Sequence, residues 1–174
     1  MRLNSGILIS PIVAALIAPA AMATVYLSPE QALATIFEGK SDFNSSSLKL
    51  TKDQRKAISS STGLTVRDQE IQVWSAGDGA RMYVDKVVGK HEFITFAVGI
   101  GADGKVRGVE ILEYKETYGG EVRRPEWRKQ FKGKKLSDTI KLGSDIVNIS
   151  GATLSSRSVT DGVKRLLAIR ALPA

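Results

Sequence analysis

Thr153 is the side chain whose setting is best suited to chemistry. It stands in the run Ser150-Gly151-Ala152-Thr153-Leu154-Ser155-Ser156, where small residues lead up to a hydroxyl they cannot shield. Behind it Val159, Val163, Leu166, Leu167 and Arg170 fall at i, i+4, i+7, i+8 and i+11, the spacing of an amphipathic helix. Ser155 or Ser156 is the natural N-cap of that helix. A threonine at a helix N-terminus meets unpaired backbone N–H groups and the positive end of the helix dipole, a setting that favours a phosphate group. The same run also reads as a plain capped helix after a Gly-Ala turn, so other parts of the chain have to discriminate.

The elements that position this threonine belong to a chain of 174 residues, 43% apolar and 25% charged. That suits one globular domain with its own core. Residues 1–23 stand apart. Arg2 gives a positive start, Ile7 to Ala18 is an apolar run, and Ala21-Met22-Ala23 is an A-x-A cleavage site. This predicts a secretory signal peptide removed after Ala23, leaving residues 24–174 as the mature domain, exported most simply to a bacterial periplasm. Pro11, Pro19 and the short apolar span favour a cleaved leader over a permanent N-terminal anchor.

Cysteine is absent and His91 is the only histidine. Thiolate ligands for iron–sulfur clusters and a C-x-x-C-H haem site are therefore excluded within the chain, and a single histidine argues against a histidine-rich metal site or a His-based triad. Redox chemistry here needs an organic cofactor. The formal charge is +7, of which the leader carries only Arg2. In an exported protein such a balance points to acidic protein partners or anionic lipid headgroups rather than nucleic acid.

Ser28-Pro29-Glu30-Gln31 and Thr51-Lys52-Asp53-Gln54 are capping boxes that predict two helices, ending near Gly39 and Gly63. Between them Asp42 to Leu50 reads as a polar connection. From Glu70 to Glu116 the period shifts towards two, with breaks at Gly77-Asp78-Gly79, Gly89-Lys90-His91 and Gly101-Ala102-Asp103-Gly104. This predicts an antiparallel β-meander of about four strands. With helices before and after it, the fold class is α+β.

After the last strand come Glu116-Thr117-Tyr118-Gly119-Gly120 and then Trp127-Arg128-Lys129-Gln130-Phe131-Lys132-Gly133. The glycines let backbone approach a flat ring closely. Glu116 and Thr117 offer polar groups to such a ring's edge, or form a plain turn. Trp127 and Phe131 are an i,i+4 pair that packs either on an aromatic ligand or in the core.

These segments, ETYGG and WRKQFKG followed by SGAT, resemble the FMN-binding domain family over roughly residues 80 to 170. That family includes FMN-carrying subunits of sodium-pumping NADH:quinone reductase and Rnf complexes, and small exported flavoproteins. The resemblance implies FMN attached through a phosphoester to Thr153 by a flavin transferase that uses FAD. It implies a cofactor site drawn from Ser150, Gly151, Ala152, Leu154 and Ser155 with Tyr114, Glu116, Thr117, Gly119 and Trp127. No catalytic residue and no metal are implied, since the threonine is modified by another enzyme and the flavin carries the electrons. The partners are then redox proteins or a membrane-bound electron-transfer complex. Three positions depart from the family pattern. Val147 stands where an Asp recognised by the transferase is usual, with Asp145 two residues earlier. Tyr118 replaces a Pro, and Tyr114 stands where a His is common.

Arg123, Arg124, Arg128, Lys129, Lys132, Lys134 and Lys135 crowd seven positive charges into thirteen residues. They read either as a docking patch or as a solvated surface. Three functions compete: an exported FMN electron carrier, a cofactor-free binding module of the same fold, and a flavin-dependent reductase with a small-molecule substrate. No substrate-binding constellation supports the third.

Overall fold

The computed structural model describes residues 24–40 and 42–173, so the proposed leader lies outside the described residues. Both capping boxes form. Gln31 N donates to Ser28 Oγ at 3.2 Å while Ser28 N donates to Gln31 Oε1 at 2.8 Å, which starts α1 (Pro29–Ile36). Thr51 and Gln54 make the same reciprocal pair at the start of α2 (Lys52–Thr62), and Gly63 ends that helix with φ +71°.

The strands are β1 (Thr24–Val25), β2 (Phe43–Lys49), β3 (Glu70–Ala76), β4 (Arg81–Val88), β5 (Phe93–Ile100) and β6 (Val106–Tyr114). They make one antiparallel sheet in the order β1-β6-β5-β4-β3-β2. The expected meander is β3 to β6, and the α+β class holds. The count of about four strands is corrected to six. Phe43–Lys49 is not a polar connection but a strand paired in full register, from Phe43 opposite Ala76 to Lys49 opposite Glu70. Its run of serines has no apolar alternation, because as an edge strand it takes its hydrogen bonds from β3 and buries little of its own surface.

Each face of the sheet carries a helix. On one, α4 (Thr153–Arg170) lays Val159, Val163 and Leu166 against Tyr83, Phe96, Val98 and Ile111. On the other, α1 covers Met82, Ala97 and Leu112. A glycine makes that close approach possible: a Cβ on Gly99 would lie 2.2 Å from Ile36 Cγ2 and 2.8 Å from Phe37 Cε2. One buried ion pair pins α4 to the sheet. Arg165 Nη2 meets Asp85 Oδ2 at 2.6 Å, with side chains 11% and 1% exposed, and Asp85 also accepts from Gln69 and from Lys86 N. Among the described residues no helix is long and apolar enough to cross a membrane.

Candidate functional site

The site is assembled where three segments meet: the loop after β6, the short α3 (Pro125–Arg128) with the 3-10 turn Lys129–Phe131, and the N-terminus of α4. Helix α4 begins at Thr153 itself. Its N-cap is Ala152, with no side-chain cap, so the expected capping role of Ser155 or Ser156 is corrected. Both serines lie inside the first turn and are buried against the fold. The consequence is chemical. The opening N–H groups of an 18-residue helix have no side-chain acceptor, beside an exposed threonine hydroxyl.

That hydroxyl is oriented by a neighbour that no sequence signal marks. Asn148 Nδ2 donates to Thr153 Oγ1 at 3.0 Å, leaving the threonine's own proton uncommitted. Gly151, with φ +82° and open space where a Cβ would go, turns the chain into the helix.

The segment before Asn148 is held from two sides. Trp127 Nε1 donates to Val147 O at 2.8 Å, and Val147 N donates to Gln130 Oε1, also at 2.8 Å. Trp127 and Gln130 are three apart, so both reach one residue of the loop before Thr153. Trp127 is buried, meets Phe131 edge-on at 5.2 Å between ring centres, and belongs to the core. The Val147 side chain points out at 68% exposure while its backbone is fixed. Asp145 holds the stretch before that: Ile140 N and Lys141 N donate to its carboxylate at 3.0 and 2.7 Å, and Lys134 Nζ pairs with it at 2.7 Å.

The glycine loop is clamped to the same helix start. Tyr114 is buried and donates its hydroxyl proton to Tyr118 O at 2.5 Å. Its one proton is then used, so Ser155 Oγ, 2.9 Å away, is the donor to Tyr114 Oη. Burial pushes the Tyr114 hydroxyl up from its ordinary pKa, against a smaller lowering by Ser155, so it stays a donor. Gly119 sits inside this clamp at φ +92°, where a Cβ would lie 2.6 Å from Tyr114 Oη and 2.9 Å from Ser155 Oγ. Gly119→Ala combines left-handed strain with overpacking and is expected to cost about 2–4 kcal/mol in urea unfolding. An unchanged midpoint would mean that the loop is free to swing away from α4.

Glu116 serves the turn between β4 and β5. Its Oε1 accepts from His91 N at 2.5 Å and Glu92 N at 3.0 Å. Partial burial works to raise this carboxyl, but backbone donors from Glu92, His91 and Lys90 outweigh it and hold the group below the usual carboxylate range. The lowered folded value means stabilisation that is complete above the ordinary glutamate pKa and lost as pH falls through the folded one. Amide exchange at His91 and Glu92, corrected for intrinsic rate, is therefore expected to speed up below about pH 4. Glu116→Gln should remove that pH step. A step that persists in the glutamine variant would assign it elsewhere.

Beside the start of α4 a hollow of about 640 Å³ is lined by Tyr26, Thr117, Tyr118, Gly119, Glu121, Arg123, Arg124 and Gly151, among others. Arg123 lies over the Tyr26 ring, 4.1 Å from its centre. A larger hollow of about 900 Å³ opens on the opposite, α1 face of the sheet, over Trp74, Val84 and Leu112, and takes in none of these residues. The smaller one is the candidate site. It brings Thr117, Gly119 and Gly151 together near Thr153, whereas Glu116 and Trp127 act on neighbouring backbone.

A hydroxyl at an uncapped helix start, glycine backbone and a hollow walled by two arginines and Glu121 offer the contacts that a phosphorylated planar cofactor takes. Residues 89–168 match the FMN-binding domain family. Three relatives make the likeness more specific, each of them one component of a larger oxidoreductase complex. The component from the ion-translocating oxidoreductase complex of Stutzerimonas stutzeri is 33% identical over 85 residues, covering 42% of this chain and 37% of the relative. Its counterpart in Erwinia tasmaniensis is 36% identical over 92 residues, 46% of this chain and 44% of the relative. The component from the Na(+)-translocating ferredoxin:NAD(+) oxidoreductase complex of Acetobacterium woodii is 39% identical over 74 residues, 37% of this chain and 36% of the relative. The matched stretches thus span less than half the length of each of these relatives.

Proposed function

We propose that the chain is an exported electron carrier with FMN esterified through its phosphate to Thr153. The observation that carries this reading is the acceptor itself: an exposed hydroxyl, oriented by Asn148, at the uncapped start of α4. A phosphodiester there keeps one negative charge, which the helix N-terminus and the nearby Arg123 and Arg124 stabilise. When bound, FMN supplies one- and two-electron chemistry. The chain's own residues fix the attachment point, hold the Gly119 loop against α4 and keep the hollow open for a flat ring. Tyr118, 82% exposed on the wall of that hollow, offers an aromatic face for stacking.

The matched relatives are named as subunits of oxidoreductase complexes. That supports a relay role between redox partners, within or beside a membrane assembly, rather than turnover of a small substrate. Flavin attachment requires a transferase acting on FAD, and the leader at residues 1–23 would deliver the chain to the compartment where it works. Val147 occupies the place of the family's Asp, yet its backbone is held by Trp127 and Gln130, so the loop that presents Thr153 keeps its shape.

The test is export of the full chain together with an active flavin transferase. The expected product is yellow, bleaches reversibly on reduction, and carries the mass of FMN less one water. An unmodified product beside a fully modified known target would leave the cofactor-free binding module as the better reading.

A further inference from the structure

We infer that the surface beside Thr153 is a docking face for an acidic protein, with an apolar centre and a basic margin. It deepens the carrier reading by naming the chemistry of the partner, and rests on that reading only for its electron-transfer role. The centre is built from side chains that a folded protein ordinarily buries. Tyr118, Val147 and Leu154 are 82%, 68% and 50% exposed, three of the six exposed large apolar residues among those described. They share one locality: Tyr118 adjoins Gly119, which is clamped to Ser155; Leu154 follows Thr153; and Val147 adjoins Asn148, which holds Thr153.

The structure sorts the seven cations of residues 123–135. Arg128 is spent inside, on Glu110, Val109 O and Arg123 O, and Lys134 is spent on Asp145. Arg123 stacks on Tyr26. Arg124, Lys129, Lys132 and Lys135 are not buried and make no ion pair among the described residues. This strip joins the apolar centre directly, since Lys129 precedes the Gln130 that holds Val147, and Arg124 lines the hollow with Gly151. An apolar centre with a charged rim is the anatomy of a protein interface, and one sign of charge selects the opposite sign in the partner. A lipid surface is matched less well. The strip lies on a four-residue helix and a 3-10 turn, with no long amphipathic helix to lie in a bilayer interface.

The tests compare the parent with Lys129→Glu/Lys132→Glu. A control, Lys52→Glu/Lys56→Glu on α2, has the same net charge change, and its lysines are also exposed. Flavin-free protein is titrated into fluorescein-labelled poly-L-glutamate. The first variant should bind about tenfold more weakly than the control. Equal weakening in both would reduce the effect to net charge and overturn the proposal. In flavin-loaded protein, mass-checked and reduced, two ferricyanide ions take up the two electrons and become ferrocyanide, with protons passing to solvent. At about 10 mM ionic strength, where charges act over roughly 30 Å, the first variant should slow this reaction and speed the corresponding one with cationic hexaammineruthenium(III). Unchanged rates would overturn the proposal. So would retention of the flavin-free parent on phosphatidylglycerol vesicles at about 0.15 M salt, if the first variant abolished it, for the surface would then be reading lipid. If the chain takes no flavin, the poly-L-glutamate and vesicle experiments still decide.

Discussion

Thr153→Ala is expected to fold as the parent does and never to gain the mass of FMN less one water, whatever the supply of transferase and FAD. The expectation combines two independent observations. Thr153 is exposed, and among the described residues its side chain bonds only Asn148, so removing the hydroxyl disturbs no packed surface. Alanine is also a better helix former than threonine at this first helical position, so stability should stay within about 0.5 kcal/mol of the parent. Loss of flavin therefore cannot be blamed on loss of fold. Thr153→Ser keeps a hydroxyl on the same backbone and is expected to accept flavin. The measurement is intact mass, with far-ultraviolet dichroism and a urea midpoint on the same samples. Full flavin mass on the alanine variant would move the attachment to another hydroxyl. Ser150 and Ser155 flank it, but Ser155 is buried and committed to Tyr114, which makes Ser150 the next residue to change.

The largest loss of stability is expected from Asp85→Ala, a residue far from Thr153 in sequence and on another element. Its carboxylate is 1% exposed and holds Arg165, Gln69 and the Lys86 amide together. Removing it leaves a guanidinium that is 11% exposed without its counter-charge. Breaking one side of such a buried pair costs roughly 3–5 kcal/mol. The urea midpoint should fall accordingly with its slope unchanged. Replacing both partners, Asp85→Leu with Arg165→Met, should recover most of the loss, because no unpaired charge then remains. A cost below about 1 kcal/mol for the single change would show that Arg165 escapes to water. The pair matters for the site because α4 carries Thr153 at its first residue and must be seated for the helix start to meet the Gly119 loop.

Much of this arrangement is legible in the residues themselves. Both capping boxes announce their helices because their hydrogen bonds close within three residues, so local sequence decides them. The meander follows from two-residue alternation punctuated by glycines that fit tight turns, and β3 to β6 appear where those signals put them. The region that matches the FMN-binding domain family is marked by three short segments in order, ETYGG, WRKQFKG and SGAT.

What the tertiary structure alone decided is of another kind. Phe43–Lys49 becomes a strand because β3 offers it a ladder of backbone partners, and no local preference of serine would say so. Ala152, without a capping side chain, starts α4, because Ser155 is drawn inward by Tyr114, forty-one residues earlier. Glu116, Trp127, Gln130 and Asp145 each satisfy backbone or charge on a segment distant in the chain. Residue types and spacing marked both capped helices, the four strands β3 to β6 and the exposed Thr153, since those signals are local. The partners of each polar side chain were decided by packing, since a hydrogen bond acts over about 3 Å in space and is blind to separation along the chain.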